Sequence, residues 1–223
     1  MIQVFDDIEQ GSPEWFSVRR GIPTASMFAT VMAKGKSGGV SLTRSKYLRE
    51  LAGEIITCEP QESFSNSHME RGKAMEDEAR DAYVFLHDTD VHRVGFIRNG
   101  SKGASPDSLV GDDGGLEIKT AVAHIQIERL LRGDLPPEHR AQVQGNIWIA
   151  EREWWDFVSY WPKLPLFKVR VRRDDAYIET LSEAVDRFND ELAELVERIR
   201  NYGDESQSLK RSLAASVEAE AQA

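Results

Sequence analysis

Residues 105–119 read Ser105-Pro106-Asp107-Ser108-Leu109-Val110-Gly111-Asp112-Asp113-Gly114-Gly115-Leu116-Glu117-Ile118-Lys119. Two short β-prone runs, Ser108-Leu-Val and Leu116-Glu-Ile-Lys-Thr, flank the turn Gly111-Asp-Asp-Gly-Gly, which is the composition of a hairpin. Side chains alternate along a strand, so Glu117 and Lys119 share one face while Leu116 and Ile118 take the other. Folding back at the turn is expected to bring Asp107 beside Glu117. Two carboxylates and an ammonium then converge at one end of the hairpin. Two carboxylates hold a hard divalent cation such as Mg²⁺ through oxygen. The cation polarises a phosphoryl oxygen and lowers the pKa of a bound water. Lys119 can orient that water and stabilise the developing negative charge. A bare Glu-x-Lys on a strand is ordinarily a mixed-charge surface, and Pro-Asp before glycines an ordinary loop. Their combination at this spacing points to phosphodiester hydrolysis.

Working upstream, Ser67 to about Leu86 reads as a helix with Gly72, Met75, Ala79, Tyr83 and Leu86 as its stripe. Glu76 borders that stripe. An acid facing inward is costly unless paired or metal-bound; the ordinary alternative is a helix-spaced pair with Arg80 or Lys73. Downstream, Pro136-Pro137-Glu138 starts a helix through Trp148. Gln142 and Gln144 face different directions on it, and Gln144 shares its face with Trp148. Gln144 is therefore the amide expected to hold a nucleophilic water or a DNA phosphate, against plain packing at the rim of the core.

The remaining elements surround this centre. Ser12 and Pro13 mark a helix start, Thr24-Ala25-Ser26 opens a short helix through Met32, and Leu42 to Ile56 forms another helix. Lys34 to Gly39 is a basic loop. Strands are expected over Arg93–Ile97, Trp155–Trp161 and Leu166–Val171. A long helix covers Ala176 to Tyr202; its seam Leu181, Val185, Phe188, Leu192, Leu195, Ile199 reads as packing within the chain or as a subunit contact. The pattern is expected to give a mixed α/β domain with a central mixed sheet flanked by helices, a single domain over 1–203 and a disordered or frayed tail over 204–223.

Composition removes other classes. The 223 residues carry 40% hydrophobic and 30% charged residues, ordinary for a soluble domain. No apolar run reaches a membrane span, and the first residues lack the basic and apolar regions of a secretory signal, so a cytoplasmic location is expected. Cys58 is the only cysteine, which excludes an intrachain disulfide and a cysteine-ligated iron–sulfur cluster. A net charge of −10 argues against a nucleic-acid-coating protein, though an acidic body with a basic groove still binds DNA.

Four ordered segments resemble a known family. Arg71-Gly-Lys-Ala-Met-Glu76-Asp-Glu-Ala-Arg80, Ser105-Pro-Asp107, Leu116-Glu117-Ile118-Lys119 and Ala141-Gln-Val-Gln144 with Trp148 are similar to the motifs of the phage lambda exonuclease, or YqaJ-type, family. Trp15-Phe-Ser-Val-Arg19-Arg20-Gly21-Ile-Pro-Thr-Ala-Ser26 resembles its N-terminal signature. The resemblance implies a PD-(D/E)xK restriction-endonuclease-like core. It implies a Mg²⁺-dependent, processive 5′-to-3′ exonuclease, with Mn²⁺ as substitute, that degrades one strand of linear double-stranded DNA and leaves a 3′ overhang for phage-type recombination. It implies that Asp107, Glu117 and the Ile118 carbonyl bind metal, with Glu76 at a second metal position or its water. It implies that Lys119 and Gln144 hold the nucleophilic water, and that Arg19, Ser26 and Ser105 hold a 5′-phosphate. For Arg19 a surface ion pair with Glu14 or an aspartate is the bland alternative. Lys34 and Lys36 are candidate DNA backbone contacts. A homotrimeric ring and a single-strand annealing protein are the implied partners. A structure-specific or nicking endonuclease on the same fold is the alternative activity, and a non-catalytic DNA-end binding module the alternative class.

Overall fold

The computed structural model describes residues 1–35, 38, 39, 41–60 and 67–203, with 67–74 described through their helical backbone only. The tail 204–223 and Lys36 therefore lie outside the described residues. The chain opens with β1 (Ile2–Phe5), α1 (Pro13–Arg19), a 3-10 turn (Ala25–Met27), α2 (Phe28–Val31) and α3 (Leu42–Thr57). There follow α4 (Ser67–His87), β2 (Val91–His92), β3 (Phe96–Asn99), β4 (Lys102–Ala104), β5 (Ser108–Val110) and β6 (Gly114–Thr120). It continues through α5 (Ala123–Arg132), a 3-10 turn (Pro137–His139), α6 (Arg140–Ala150), β7 (Trp154–Tyr160), β8 (Phe167–Arg172) and α7 (Asp175–Arg200). Ser12 caps α1 as expected, its Oγ accepting from Trp15 N, and Asp174 caps α7, its Oδ1 accepting from Tyr177 N.

Two sheets form, β1-β3-β4 and β2-β5-β6-β7-β8. Only β6 and β7 among these neighbours run parallel. A parallel pair needs a long crossover, and α5, the 3-10 turn and α6 supply it. Of the expected strand over Arg93–Ile97 only Phe96 and Ile97 are in a strand, β3 of the small sheet, while Val91–His92 just before it form β2 of the other sheet. The break falls at Gly95, where a Cβ would stand 1.9 Å from the Ile8 carbonyl oxygen, so the chain can cross there only as glycine. Glycine is needed again at Gly114 and Gly115, where the Trp154 and Trp155 rings lie over the start of β6 and a Cβ would come within 2.1 and 2.3 Å of them.

The five-stranded sheet is buried on both faces. Leu116, Ile118, Trp154 and Val158 meet Ala79 and Tyr83 of α4 on one face. Trp155 and Phe157 join a larger core with α2, α3, α6 and α7 on the other. Along α7, Ile178, Leu181, Val185, Phe188, Leu192 and Val196 are buried, and Phe188 stacks on Tyr47 of α3 with centroids 5.5 Å apart. The heptad-like seam thus packs within the chain along most of its length. Among the described residues no helix is long and apolar enough to cross a membrane.

Candidate active site

In the β5–β6 hairpin Ser108 pairs with Leu116, Leu109 with Gly115 and Val110 with Gly114. One more step of that register sets Asp107 opposite Glu117, as the turn chemistry requires. Asp107 Oδ2 accepts from the Ile118 amide at 2.5 Å. Glu117 is 2% exposed and points toward α6. Its Oε1 accepts from Lys119 Nζ at 2.5 Å and from Gln142 Nε2 at 2.6 Å, and its Oε2 from Asn146 Nδ2 at 3.0 Å. Three donors on one buried carboxylate offset its desolvation. Gln142 and Asn146 stand one helical turn apart, so a single face of α6 presents both amides.

From the other side α4 supplies Glu76 and Arg80. Arg80 donates to Glu76 Oε1 at 2.5 Å, to Asp77 Oδ1 at 2.6 Å and to Ser108 Oγ at 3.2 Å. The helix-spaced Glu76–Arg80 pair therefore exists, and Glu76 also bears on Asp107. The Asp107 carboxyl is held well above the usual carboxylate range, by burial first and then by the charges of Glu117 and Glu76. For Lys119, burial pulls its pKa down, but Glu117, Asp107 and Glu76 outweigh it and keep the ammonium protonated.

The donor set is oxygen alone with surplus negative charge, which fits a hard divalent cation. Each acid is turned to a donor of the chain: Glu117 to Lys119 and the amides, Asp107 to a main-chain amide, Glu76 to Arg80. Among the described residues no three His, Cys, Asp or Glu side chains stand together in ligating geometry. A cleft of ≈ 430 Å³ opens beside Glu76, Asp107 and Arg80, walled by Asp6, Asp7 and Glu9.

Gln144 is not brought to this centre. Its Nε2 donates to the Arg172 carbonyl at 2.8 Å and its Oε1 accepts from Asp174 N at 3.0 Å, so both ends of the amide tie α6 to the β8–α7 junction. Gln142 stands where Gln144 was expected. Trp148 marked the Gln144 face, but that face turns to the core rather than to the acids. Asn146 was not singled out from the sequence, and Arg80 only as a helix-spaced partner of Glu76; for Asn146 the signal available was the amide pair Gln142/Asn146 at helical spacing.

Arg19 and Ser105 both contact Trp15, and Ser26 stands beside Thr24, which in turn contacts Tyr47. The Arg19 guanidinium lies 4.0 Å from the Trp15 ring centroid, and the Trp15 indole N–H donates to Ser105 Oγ at 2.9 Å. Ser26 Oγ lies 3.2 Å from Thr24 Oγ1, and Thr24 N donates to the Tyr47 hydroxyl at 3.3 Å. Burial lowers the pKa of Arg19, while Tyr47 and Glu54 act the other way. Lys34 is exposed and lines a separate cleft against α7, with Arg44, Arg187 and Glu191.

Residues 14–153 match the YqaJ-like viral recombinase domain. An alkaline exonuclease from Laribacter hongkongensis, LHK-Exo, is 35% identical, with TM-score 0.79 over 87% of this chain and 99% of that one. The same enzyme in complex with dAMP is 35% identical, with TM-score 0.78 over 89% and 100%. A phage-related exonuclease from Haemophilus somnus 129PT, 14% identical, has TM-score 0.61 over 80% and 96%, a likeness of fold alone. No curated protein matches the chain. The mixed sheet flanked by helices that the sequence led us to expect is the fold of these exonucleases.

Proposed function

The chain belongs to the YqaJ-like viral recombinase family as one of its exonucleases, and on that premise we propose a Mg²⁺-dependent enzyme that degrades one strand of linear duplex DNA processively from the 5′ end. The 3′ overhang it leaves serves single-strand annealing recombination. One observation carries the reading: Asp107, Glu117 and Lys119 meet at one end of a hairpin, with acids in excess of the charge that the chain itself supplies.

Asp107, Glu117 and the Ile118 carbonyl would hold Mg²⁺, with Mn²⁺ as substitute, and Glu76 would serve a second metal position or its water. When bound, the cation polarises the phosphoryl oxygen and lowers the pKa of its water. Lys119 donates toward that water and toward the charge that builds on the phosphate. Gln142 takes the water-holding role for which the sequence pointed to Gln144, and with Asn146 it keeps Glu117 fixed. Arg80 sets Glu76 and ties α4 to the strand that follows Asp107. Arg19, Ser26 and Ser105 hold the terminal 5′-phosphate, a task that suits the guanidinium fork. Lys34 contacts the DNA backbone. A homotrimeric ring around the duplex accounts for processivity, and a single-strand annealing protein loads on the 3′ product.

Digestion of linear duplex labelled at either the 5′ or the 3′ end, with Mg²⁺ or EDTA and with closed circular duplex alongside, tests this reading. Early release of the 5′ label, from linear DNA and with Mg²⁺ only, is expected. Early release of the 3′ label reverses the polarity. Cutting of the circle favours a nicking endonuclease, and end binding without cleavage a non-catalytic module.

A further inference from the structure

The crossover helix α5 brings a cation to the catalytic end of the sheet. Gln126, wholly buried, anchors it: Nε2 donates to the Ser159 and Pro165 carbonyls at 2.9 and 2.8 Å, and Oε1 accepts from Ser159 Oγ at 2.5 Å. One turn on, Arg129 donates to Ser159 Oγ at 2.9 Å and meets His139 Nε2 at 3.2 Å. A guanidinium can only donate, so His139 Nε2 accepts, and the ring is neutral with its proton on Nδ1. Burial first, then the charges of Lys119 and Arg129, push His139 down to about 4, in keeping with that tautomer.

Both hydrogen-bond partners of Arg129 are thus neutral, and Arg129 forms no ion pair among the described residues; Glu138 and Glu128 act on it only at longer range. Three other part-buried guanidiniums are matched by acids: Arg44 by Glu191, Arg80 by Glu76 and Asp77, Arg170 by Asp156. The position of Arg129 gives its unmatched charge a direction. Ser159 pairs in register with Lys119, and Phe157 with Glu117. The His139 ring lies 4.9 Å from the Phe157 ring, and the Arg129 guanidinium 5.6 Å from it. Neighbouring strands lie ~4.8 Å apart, so the Ser159 that fixes Arg129 is one strand away from Lys119.

We infer that Arg129, held by Ser159 and His139, is a binding residue for the phosphodiester next to the scissile one. This rests on the nuclease reading above. A fixed guanidinium with spare N–H groups and no acid of its own suits a phosphate oxygen. Wild type, Arg129→Gln and Arg129→Lys are compared by fluorescence anisotropy on a short duplex in EDTA across salt concentrations, and wild type is assayed for cleavage with Mg²⁺. Arg129→Gln is expected to weaken binding roughly tenfold and to flatten the slope of log K against log salt by about 0.7–0.9. Arg129→Lys restores the slope and only part of the affinity. Duplexes that carry one neutral methylphosphonate at successive positions locate the contact: wild type loses affinity when the neighbouring phosphate is neutralised, whereas Arg129→Gln does not. An unchanged salt slope, or a wild type indifferent to the methylphosphonate at that position, makes Arg129 a brace between α5 and β7 and overturns the inference. Failure of the nuclease reading shows separately, as absence of cleavage by wild type.

Discussion

Two buried acid centres sit on adjacent strands of one sheet, and they are finished in opposite ways. On β7, Asp156 is fully buried, yet both its oxygens accept from Arg170 at 2.8 Å, the Tyr83 hydroxyl donates at 2.8 Å, and Lys168 stands at 3.5 Å. Burial pushes the Asp156 carboxyl up, but the Arg170 and Tyr83 hydrogen bonds and the Lys168 and Arg170 charges bring it below its usual range. At the β5–β6 hairpin, Asp107 has one main-chain donor and the distant Lys119 against Glu117 and Glu76, and is driven up. The chain completes the Asp156 centre with its own cations and leaves the Asp107 centre short of positive charge. A buried acid cluster left short in this way is the pattern of a functional site, and under the proposed function an outside cation makes up the missing charge.

The largest effect expected from that contrast is on catalysis. Asp107→Ala and Glu117→Ala should each abolish metal-dependent digestion, removing most of an enhancement that for enzymes is at least ~10⁶-fold. Asp107→Asn sharpens the point, because it removes a crowded charge while keeping an acceptor for Ile118. In EDTA it should raise Tm, by about 2–4 °C for each kcal/mol of repulsion relieved, although activity is lost. Digestion assays and thermal melts check both; a melt that falls in EDTA would show that the Asp107 charge is not a liability to the metal-free fold.

At Asp156 the sign reverses. Asp156→Ala leaves Lys168 and Arg170 without their acid, a change that costs about 3–5 kcal/mol for buried pairs. The lower end is expected, since side-chain exposures of 28% and 42% let these cations turn to water. That is a fall in Tm of roughly 6–12 °C. Because the folded carboxyl is depressed, its stabilisation is full above the unfolded value of about 3.9 and is lost as pH falls through the folded one. Asp156→Asn should therefore flatten acid unfolding below about pH 4 while leaving metal-dependent turnover per folded molecule near wild type. Loss of turnover in the folded variant would make Asp156 part of the active site and break the comparison.

Lys119 lies between these extremes, as a cation that β6 itself carries to its active end. Lys119→Ala should lower turnover about 10²–10³-fold with duplex affinity largely kept, since its donor acts where charge develops. Lys119→Arg should rescue little, because a planar fork replaces a point charge. Equal losses in binding and turnover would reduce Lys119 to a phosphate contact.

What the sequence revealed follows the range of the forces involved. The hairpin was legible because turn composition and strand alternation are local; the register that sets Asp107 opposite Glu117 was an expectation, which the pairing of Ser108 with Leu116 bears out. Glu76 was legible from the helical period beside Met75 and Ala79. The choice between Gln142 and Gln144 depends on how α6 is rotated over the sheet, which its own residues do not specify; with most of that helix buried, no polar face marks the answer. Helix α5 was missed although its sequence, AHIQIERLLR, is amphipathic, and its burial does not follow polarity: Gln126 is wholly buried while Ile127 and Leu131 are 46% and 83% exposed. Strands β1 and β4 are short members of the small sheet, and β4 carries Gly103, which packs against the Phe96 ring.

The smallest effect concerns a second pair of contrasting sites. Arg170 lies 3.5 Å from the Trp154 ring centroid and is neutralised by Asp156. Arg19 lies 4.0 Å from the Trp15 ring centroid, but Trp15 hands its indole N–H to Ser105, and Glu54, which acts on Arg19 electrostatically, accepts from the Gly21 amide at 2.9 Å. The same stacked guanidinium is paired with an acid in one site and forms no ion pair among the described residues in the other. A terminal phosphate carries more charge than a bridging one, so Arg19 can tell ends apart. A hydrogen bond to a charged partner contributes ~1.5–3 kcal/mol, or roughly ten- to hundredfold in rate. Wild type should therefore digest 5′-phosphorylated duplex faster than 5′-hydroxyl duplex. Arg19→Ala should slow the first by that factor and barely alter the second. Arg19→Lys should keep only part of the preference, because the charge remains while the fork and the stacking are lost. Equal slowing on both substrates would make Arg19 a general backbone contact. An undiminished preference would move the end sensor elsewhere, and with it the residue-level argument for 5′-to-3′ polarity.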